Sequence, residues 1–541
     1  MIKKFYKISE LNNTDEVTED DILETTSSDK SKAVPVDDIA DLTVNSEYDS
    51  LVTTDKTLIG AVNESAQSHI QVTVTQVRTS GKEIAKIKVN NSTTTSVYAQ
   101  NVIPNDDTAP VTNLTTIEIG GQIYSVRNEE KPVIYGIHID SSESDPSACV
   151  AYLEDAVGMT PAKMNFTTKE FSYGSWGDNF IINGIKPCIL NPQGEVVCYL
   201  NPNDYTKDID GNTVPITQAE MDADATSPYH MGNVMVEFPK IYMKMVPDEG
   251  DPTSASIYFS NKKIDSSYKD YAYIGPSKEH KEHFYMAAYN GSVVGDTYSA
   301  SAVMRSVSGS RAMNKITASE SRTMCVNNGS NYHMTTLSEV TLINLLLVLF
   351  GKSLNSQAVY GQGLTSGGSE AINDAFRTGE QNQKGLFYGT NSGSVTSTNF
   401  TNCVKVFGME NWWGFAFRRY EGHILKSGTH YIKNCFGQDD GSTADGFSDN
   451  GTGYINTGIS SPASEYISKE TFISDTMIAS ATGSPASSTK CYCDYCYTGI
   501  NTFAFHGGIS YYGADCGSFF VHLNVSASSR GWGFGSSPSC T

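Results

Sequence analysis

The sequence predicts an α+β chain in which β structure predominates. Aromatic residues make up 10% of the chain, including 30 tyrosines, and glycine occurs 46 times. This composition is typical of strands joined by many turns. Long stretches alternate polar and apolar residues with a period of two, which predicts strands with one polar face. Few segments space their apolar residues as a helix does.

The length, the charge and the cysteines limit the possible classes of protein. A chain of 541 residues is too long for one core and predicts about three or four domains. Its net charge of -22 disfavours anionic partners, so we expect no nucleic-acid binding and no membrane insertion. Eleven cysteines scattered over so long a chain predict mostly free thiols made in a reducing cytoplasm.

Residues 1–69 are predicted to form an attachment segment. The first fifty residues are acidic and polar with few aromatics, which predicts a flexible or extended segment. Thr54 or Asp55 can cap a short helix. The apolar stripe of this helix consists of Leu58, Ile59 and Val62. So short a helix needs partners, which either a trimeric bundle or its own domain would supply.

Two β-rich regions follow the attachment segment. Residues 70–130 alternate regularly and predict a small all-β domain, with a hairpin turn at Gly120-Gly121. Charged residues and Pro132 then mark a linker. Residues 133–269 predict a β-rich intermediate domain, with residues 179–190 among its strands.

Residues 270–541 combine a helix with further strands. Thr336 or Ser338 can cap this helix. Its predicted apolar face consists of Leu342, Leu345, Leu346 and Leu349. Further on, large aromatic residues alternate with small ones, which predicts a buried strand beside a loop. These aromatic residues are Trp412, Trp413, Phe415 and Phe417.

The last stretch, residues 491–541, has an unusual composition. It contains no Lys, Glu, Gln or Met, but it holds five of the eleven cysteines. Tyrosine and small polar residues dominate, as in binding loops, where Tyr gives rigid contact area and small residues adapt their hydrogen bonds. Every residue except Trp532 can be encoded by a codon ending in C. Randomised codons of that form or an ordinary Gly/Ser-rich β terminus would both give such a stretch.

Five short segments, in this order, resemble the C-type-lectin-like fold of the formylglycine-generating-enzyme type. That family has an arginine with a glycine turn, a capped helix, a tryptophan-rich strand, a Gly-Gly strand and a terminal glycine-aromatic segment. The counterparts are residues 305–311, 333–346, 410–414, 506–510 and 531–535.

The chain is also similar to phage tail-fibre and tail-tip proteins that end in this fold. The phrases that carry this likeness span residues 53–64, 201–211, 233–242, 353–363 and 406–414. The resemblance implies a multidomain, fibre-like chain with a small N-terminal helix, β modules and a C-terminal C-type-lectin-like domain. Some members are variable targets of diversity-generating retroelements, which implies that residues 491–541 are a variable tail.

Within this tail, we expect a fixed set of positions to shape the scaffold. Glycines would permit turns and apolar side chains would pack. The fixed set is Phe503, Phe505, Gly507, Gly508, Gly513, Gly517, Phe519, Val521, Leu523, Gly533 and Phe534.

The remaining prominent tail positions are expected to display side chains to a receptor. Alternation along residues 519–524 predicts that one face is buried and the other is shown. Tyr, Trp and Arg are common interface anchors, although Trp532 could instead belong to the core. The display set is Asp494, Tyr495, Tyr497, Asn501, His506, Ser510, Tyr511, Tyr512, Asp515, Cys516, Phe520, His522, Asn524, Ser529, Arg530 and Trp532.

The sequence therefore predicts a viral adhesin, not an enzyme, with no cofactor and no metal. We expect a homotrimer in the virion, attached to tail or baseplate proteins through its N-terminus and binding a bacterial surface receptor. No apolar signal segment is visible near the first residue, which favours synthesis in the host cytoplasm. A fixed bacterial surface lectin is the alternative binding protein.

An oxidase or a glycan hydrolase on the same fold is the alternative from another class. The oxidases of this family need a cysteine pair after the Gly-Gly strand, and only Cys516 stands there. A glycan hydrolase would need paired carboxylates. The candidates by proximity are Asp439, Asp440, Asp445 and Asp449. The three cysteines that precede the Gly-Gly strand lack the partners of a tetrahedral metal site.

Overall fold

The computed structural model describes residues 132–541 throughout and, within residues 1–131, the backbone of eight strands. The chain divides into two compact units, residues 1–131 and residues 132–541. This division falls in the linker that the sequence predicts before Pro132.

The strands described in the first unit form three small sheets. β1 runs parallel to β2, which pairs with β3; β4, β5 and β6 form an antiparallel sheet; and β7 and β8 form a hairpin. The strands are β1 (Phe5–Lys7), β2 (Ile22–Ser27), β3 (Lys30–Pro35), β4 (Val72–Thr73), β5 (Glu83–Val89), β6 (Thr93–Tyr98), β7 (Leu114–Ile119) and β8 (Gln122–Arg127).

Two predictions for this unit are tested. Ile119 pairs with Gln122 across Gly120-Gly121, which confirms the predicted hairpin. Among the described residues of the first fifty, where the sequence predicts a flexible or extended segment, the structure has the three strands β1, β2 and β3, and β2 pairs with β3. The predicted helix over residues 54–62 lies outside the described residues.

The second unit is built mainly from three sheets. The first is a four-stranded antiparallel sheet in the order β10-β9-β18-β17. Its strands are β9 (Ile134–Asp140), β10 (Val150–Glu154), β17 (Tyr242–Asp248) and β18 (Asp251–Ser260). A short hairpin lies beside it in sequence, formed by β11 (Lys163–Asn165) and β12 (Glu170–Ser172).

The second sheet has seven strands in the order β15-β14-β13-β16-β19-β32-β20. They are β13 (Lys186–Leu190), β14 (Val196–Asn201), β15 (Asp204–Asp208), β16 (Asn233–Pro239), β19 (His283–Ala287), β20 (Tyr332–Met334) and β32 (Pro538–Cys540). β16 pairs directly with β19. The sheet therefore crosses the boundary that the sequence predicts between residues 269 and 270, and the last strand of the chain lies inside it.

The third sheet has nine strands. Eight follow the order β25-β24-β23-β29-β30-β28-β26-β27, and β31 pairs with β23. They are β23 (Phe417–Lys426), β24 (Thr429–Ile432), β25 (Ile455–Ser460), β26 (Glu465–Ile473), β27 (Thr476–Thr482), β28 (Tyr495–Thr498), β29 (Thr502–His506), β30 (Val521–Leu523) and β31 (Phe534–Gly535). The two-residue strands β21 (Lys405–Val406) and β22 (Met409–Glu410) pair with each other.

Six α-helices occur in residues 132–541. They are α1 (Phe180–Gly184), α2 (Gln218–Met221), α3 (Ala318–Val326), α4 (Leu337–Gly351), α5 (Ser356–Tyr360) and α6 (Glu370–Ala375). Short 3-10 turns span Tyr271–Tyr273, Val294–Asp296 and Gly513–Asp515. In the part of the chain that the structure describes, no helix is both long enough and apolar enough to cross a membrane.

Two local predictions are corrected. Residues 180–184 form α1 where the sequence predicts a strand, because the Asn179 side chain accepts hydrogen bonds from the first helical N–H groups and caps a helix there. The tryptophan-rich segment before Phe417 is a buried loop. Asn411 and Phe415 have φ values of 54° and 59°, which interrupt a strand.

Helix α4 lies at the centre of the second unit. Thr336 caps it in a capping box with Glu339, which confirms one of the two predicted caps. The four leucines of the predicted apolar face are buried, and so are the other eleven residues of the helix. The helix contacts β9, from residues 133–269, and β23, from residues 270–541. A helix that is covered on every side needs apolar residues all round.

Removing side-chain volume from α4 should therefore destabilise the whole second unit. We expect Leu346→Ala, at a fully buried position, to lower the free energy of unfolding by about 2–5 kcal/mol because it leaves a cavity. Tryptophan fluorescence during urea unfolding reports this unit, since all four tryptophans lie in residues 132–541. The matched control Val157→Ala, at a site that is 67% exposed, should change stability by less than about 0.5 kcal/mol. Equal effects of the two substitutions would contradict the central role of α4.

Candidate functional site

The compositionally unusual tail forms the interior of the nine-stranded sheet. Its strand β30 lies between β28, to which it runs parallel, and β29, to which it runs antiparallel. β29 in turn pairs with β23, so the tail is joined to the scaffold along one continuous sheet. Binding residues on these strands are therefore held by a rigid hydrogen-bonded frame.

The strand β30 and the residues just before it have two faces, and both are covered. Phe519, Val521 and Leu523 pack into the main core with α4, as the sequence predicts for fixed positions. Phe520 points to a second cluster around Phe417 and is 1% exposed. The predicted alternation exists, but the face expected to be shown is covered by aromatic side chains from β23 and the residues beyond β30.

Six partly exposed aromatic side chains form a continuous line beside this second cluster. We call this line the aromatic strip. Consecutive ring centroids lie 5.2, 4.4, 5.2, 4.7 and 5.6 Å apart. In order, the rings are Tyr466, Tyr495, Tyr497, Tyr512, Tyr511 and Trp532. Five of the six belong to the predicted display set.

Asp515 lies beside the strip and holds two of its tyrosines. The hydroxyl of Tyr466 donates to Oδ1 of Asp515 at 2.7 Å, and the hydroxyl of Tyr497 reaches Oδ2 at 3.5 Å. Burial and then the hydrogen bond to Asp515 raise the pKa of Tyr466. Burial and the charge of Asp515 raise the pKa of Tyr497 to about 12. Both phenols are therefore neutral donors at physiological pH.

Tyr466 is a member of the strip that the sequence analysis misses. It precedes the compositionally unusual stretch and lies at the start of β26, where it pairs with Tyr495 on the neighbouring antiparallel strand β28. Only the pairing of β26 with β28 reveals this neighbour. The available sequence signal is weak, since Tyr466 is one aromatic residue in an ordinary alternating strand.

Four further members of the display set lie near the surface but apart from this line of rings. Asn501 accepts a hydrogen bond from the Ser427 N–H at 2.9 Å, and Arg530 donates to the Glu320 carboxylate. Asn524 is exposed and Ser529 is half-buried. Asn501 and Arg530 thus hold local structure in this chain.

Six members of the display set are buried, which corrects their predicted exposure. The Asp494 carboxylate accepts the Phe519 N–H at 2.8 Å, the Ser510 hydroxyl bonds Asn373 at 3.0 Å, and the Cys516 thiol faces the Ile509 carbonyl. Aromatic rings enclose the others. The six are Asp494, His506, Ser510, Cys516, Phe520 and His522, each at most 4% exposed. A position in the tail therefore does not by itself predict exposure: Asp494, Ser510 and Cys516 have hydrogen-bond partners inside the unit, and aromatic rings enclose the other three residues.

The turn at Gly507-Gly508 requires glycine at both positions. The two glycines have φ values of 87° and 81°, a region that glycine adopts without strain. A Cβ atom at Gly507 would lie 2.7 Å from the Trp412 carbonyl oxygen, and one at Gly508 would lie 2.3 Å from the Cys516 sulfur. The turn thus requires glycine for both conformation and space.

A small polar cavity lies beneath the sheet. It has a volume of about 50 Å³, and its lining includes Glu470, His506 and Asn344. One carboxylate oxygen of Glu470 and both ring nitrogens of His506 have no hydrogen-bond partner within the protein. Burial raises the pKa of Glu470 well above its usual range and lowers the pKa of His506, with Asp494 and Arg418 adding to the respective effects. Burial therefore favours the neutral form of both groups.

The carboxylates considered for glycan hydrolysis have separate structural partners. Asp439 bonds His280, Asp445 pairs with Lys278, and Asp449 pairs with Arg322. Asp440 is buried and accepts backbone N–H groups of its own loop. Each carboxylate thus stabilises a different contact.

The cysteines are free thiols, as the sequence predicts. Burial raises the pKa of Cys516 well above its usual range, which leaves a neutral thiol rather than a reactive thiolate. Among the described residues, no group of three or more His, Cys, Asp or Glu side chains is placed to hold a metal ion.

The buried carboxyl of Glu470 should give stability an unusual pH dependence. A carboxyl whose folded pKa is raised contributes most below its unfolded value, about 4.3, and loses that contribution as pH rises. We therefore expect Glu470→Gln to raise the melting temperature by at least about 2 °C at pH 7.5 and by less at pH 4.5. Calorimetry of the full chain measures both values.

The matched control is Glu465→Gln, an exposed carboxylate on the same strand. It should leave the melting temperature nearly unchanged at both pH values. A Glu470→Gln variant that is equally destabilised at pH 4.5 and pH 7.5 would show that the carboxyl is not strained by its burial.

Comparison with known proteins does not assign a function to this surface. No protein-family model matches the chain, and no curated protein has significant sequence similarity to it. The functional proposal therefore rests on the aromatic strip and on the nine-stranded sheet that holds it.

Proposed function

We propose that this protein is a phage tail adhesin that binds a bacterial surface receptor through the aromatic strip. The observation that carries the proposal is that five tail residues, expected from the sequence to contact a receptor, line up with Tyr466 on one surface. Tyrosine and tryptophan are common anchors of protein interfaces because they bury large areas with few rotatable bonds.

The contacts within the strip favour a binding role. Hydrogen bonds from Tyr466 and Tyr497 to Asp515, and from the Tyr495 hydroxyl to the Ser464 carbonyl at 2.9 Å, hold the rings before any partner arrives. A pre-ordered surface loses little conformational entropy on binding. The most exposed ring is Tyr511, which is 48% exposed, and the rings of Tyr512 and Trp532 lie beside it.

The finer parts of the proposal concern the fold, the assembly and the origin of the tail. We propose that the second unit is a C-type-lectin-like domain of the formylglycine-generating-enzyme type and that three chains assemble in the virion. Three copies of the strip would convert weak single contacts into strong attachment. The first unit would attach to tail or baseplate proteins.

Substitutions in the strip should reduce binding to bacteria. We expect Tyr497→Ala and Tyr511→Ala each to weaken attachment of labelled full-length protein to intact cells of a bound strain by about fivefold or more, the loss typical of an interface anchor. Flow cytometry over a panel of strains measures this binding. The control Ile500→Ala changes an apolar tail residue that is 67% exposed and outside the strip.

Unchanged attachment of both tyrosine variants would move the receptor site away from the strip. Light scattering of the same preparation tests the assembly, because a trimer has three times the 58.7 kDa chain mass. A monomer at micromolar concentration would remove the trimer from the proposal.

The composition of the tail supports diversification by a retroelement. We expect the DNA beside the gene to contain a reverse transcriptase gene and a near-copy of the sequence that encodes residues 491–541. The copy should differ mainly at adenines, and the differing codons should include those of the four tail tyrosines of the strip more often than those of the six buried display positions. Sequencing of the locus gives the result. If no near-copy is found, the tail is a fixed terminus and the adhesin proposal depends on the strip alone.

A further inference from the structure

We propose that the polar cavity beneath the nine-stranded sheet is a buried water site that connects Glu470 to His506. Glu470 lies on β26, and His506 is the last residue of β29, directly before the Gly507-Gly508 turn. The site therefore lies where a tail strand meets the rest of the second unit. The inference goes beyond the proposed function and does not depend on it, because buried residues alone carry it.

The first observation is that both side chains have polar atoms without partners inside the protein. Glu470 is 4% exposed and His506 is 2% exposed. Within residues 132–541, nothing bonds one carboxyl oxygen of Glu470 or either ring nitrogen of His506. The two side chains line the same cavity, but no hydrogen bond joins them. A buried polar group without a partner destabilises a fold, so a ligand in the shared cavity would stabilise both groups.

The second observation is that other polar residues around the cavity already have partners. Asn344 donates to the Ser518 carbonyl and accepts from the Trp412 indole. The Thr341 hydroxyl lies 3.0 Å from a threonine hydroxyl on β27. The unmet hydrogen-bonding capacity of the lining is therefore concentrated in one carboxyl and one imidazole.

The size and the chemistry of the cavity favour water as the ligand. Its volume is about 50 Å³, which gives room for about one or two water molecules. A neutral imidazole offers one donor and one acceptor, and a protonated carboxyl also donates and accepts. Water does both and satisfies the two groups together. A metal ion needs more ligands, and no group of three or more His, Cys, Asp or Glu side chains in residues 132–541 is placed to hold one.

The site continues into a chain of buried hydrogen bonds. Tyr420 lines the cavity, and its hydroxyl lies 2.9 Å from Nδ1 of His423. Nε2 of His423 lies 2.8 Å from Nδ1 of His430. When His423 donates through Nδ1, the Tyr420 oxygen accepts and its own O–H needs another acceptor, which a water in the cavity would provide. The water thus permits either direction of the chain and links β26 and β29 to β23 and β24.

A dry cavity is the alternative, because much of the lining is apolar, including Leu337, Val340 and Phe519. Apolar cavities stay dry and take up xenon, whereas a polar cavity keeps its water. The test is a crystal structure of the full-length protein, with and without xenon pressure. We expect density for water at about 2.6–3.2 Å from the Glu470 carboxyl and from a His506 ring nitrogen, and no xenon in the cavity.

Magnetic relaxation dispersion of water nuclei tests the site in solution, because its amplitude counts long-lived internal waters. The double variant Glu470→Met/His506→Phe removes both polar anchors and should lose about one or two of these waters relative to wild type. The control Glu465→Gln changes an exposed carboxylate on the same strand and should leave the amplitude unchanged. Circular dichroism shows whether the double variant is folded. If it is not, the crystal structures of the wild type decide the outcome.

The proposal fails if xenon enters a cavity that shows no water, or if Glu470 and His506 bond each other directly. It also fails if a folded double variant keeps all the long-lived waters of the wild type. Cell attachment does not enter these outcomes, so failure of this inference and failure of the proposed function are distinguishable.

Discussion

Complete burial of helix α4 is the constraint on which the second unit depends. The helix brings fifteen buried residues to the centre, and its N-terminal end cannot use water to satisfy its free N–H groups. Thr336 and Glu339 therefore close the end internally, and His333 bonds the Glu339 carboxylate at 3.0 Å. Strands from both sides of residue 270 cover this one helix, so the regions that the sequence separates share a core.

Helix α4 also constrains the conformation of the tail. Asn344 of α4 donates to the Ser518 carbonyl and accepts from the Trp412 indole at 2.9 Å, which ties the tail and the tryptophan loop to the centre. Phe519 and Val521 pack into the same core. Changes at these positions would disturb the core of the unit, so substitutions in this part of the tail are tolerated best where side chains reach solvent.

Short-range signals in the sequence predict some structural elements, whereas others depend on contacts between distant parts of the chain. Thr336 was found as a cap, and the Gly120-Gly121 hairpin was found as a turn, because caps and tight turns depend on residues close together in the chain. The burial of Phe520 depends on Phe417, whose ring stacks on it from another strand. A period of two shows that a strand has two different faces, but it does not show whether something distant covers the second face.

The sequence predicts the residue types of the candidate site, but only part of their arrangement in the structure. The display tyrosines of the tail lie near the surface, whereas Asp494, His506 and Ser510, which the sequence places in the same display set, are buried. Their burial is possible because each neutral or paired group avoids the cost of an isolated buried charge. Tyr466 had no signal of its own, since its place in the strip comes from the pairing of β26 with β28.

The rings of the aromatic strip support one another. The rings contact one another in sequence, so replacing one of them changes the support of its neighbours as well as its own contact with a partner. Substitutions at neighbouring strip positions should therefore be non-additive, as is usual for residues in contact. Asp515 connects Tyr466, which lies outside the compositionally unusual stretch, to Tyr497 inside it. One ring from before the tail and one ring of the tail thus share one carboxylate, and the acidic, aromatic character of this surface depends on residues from both parts of the chain.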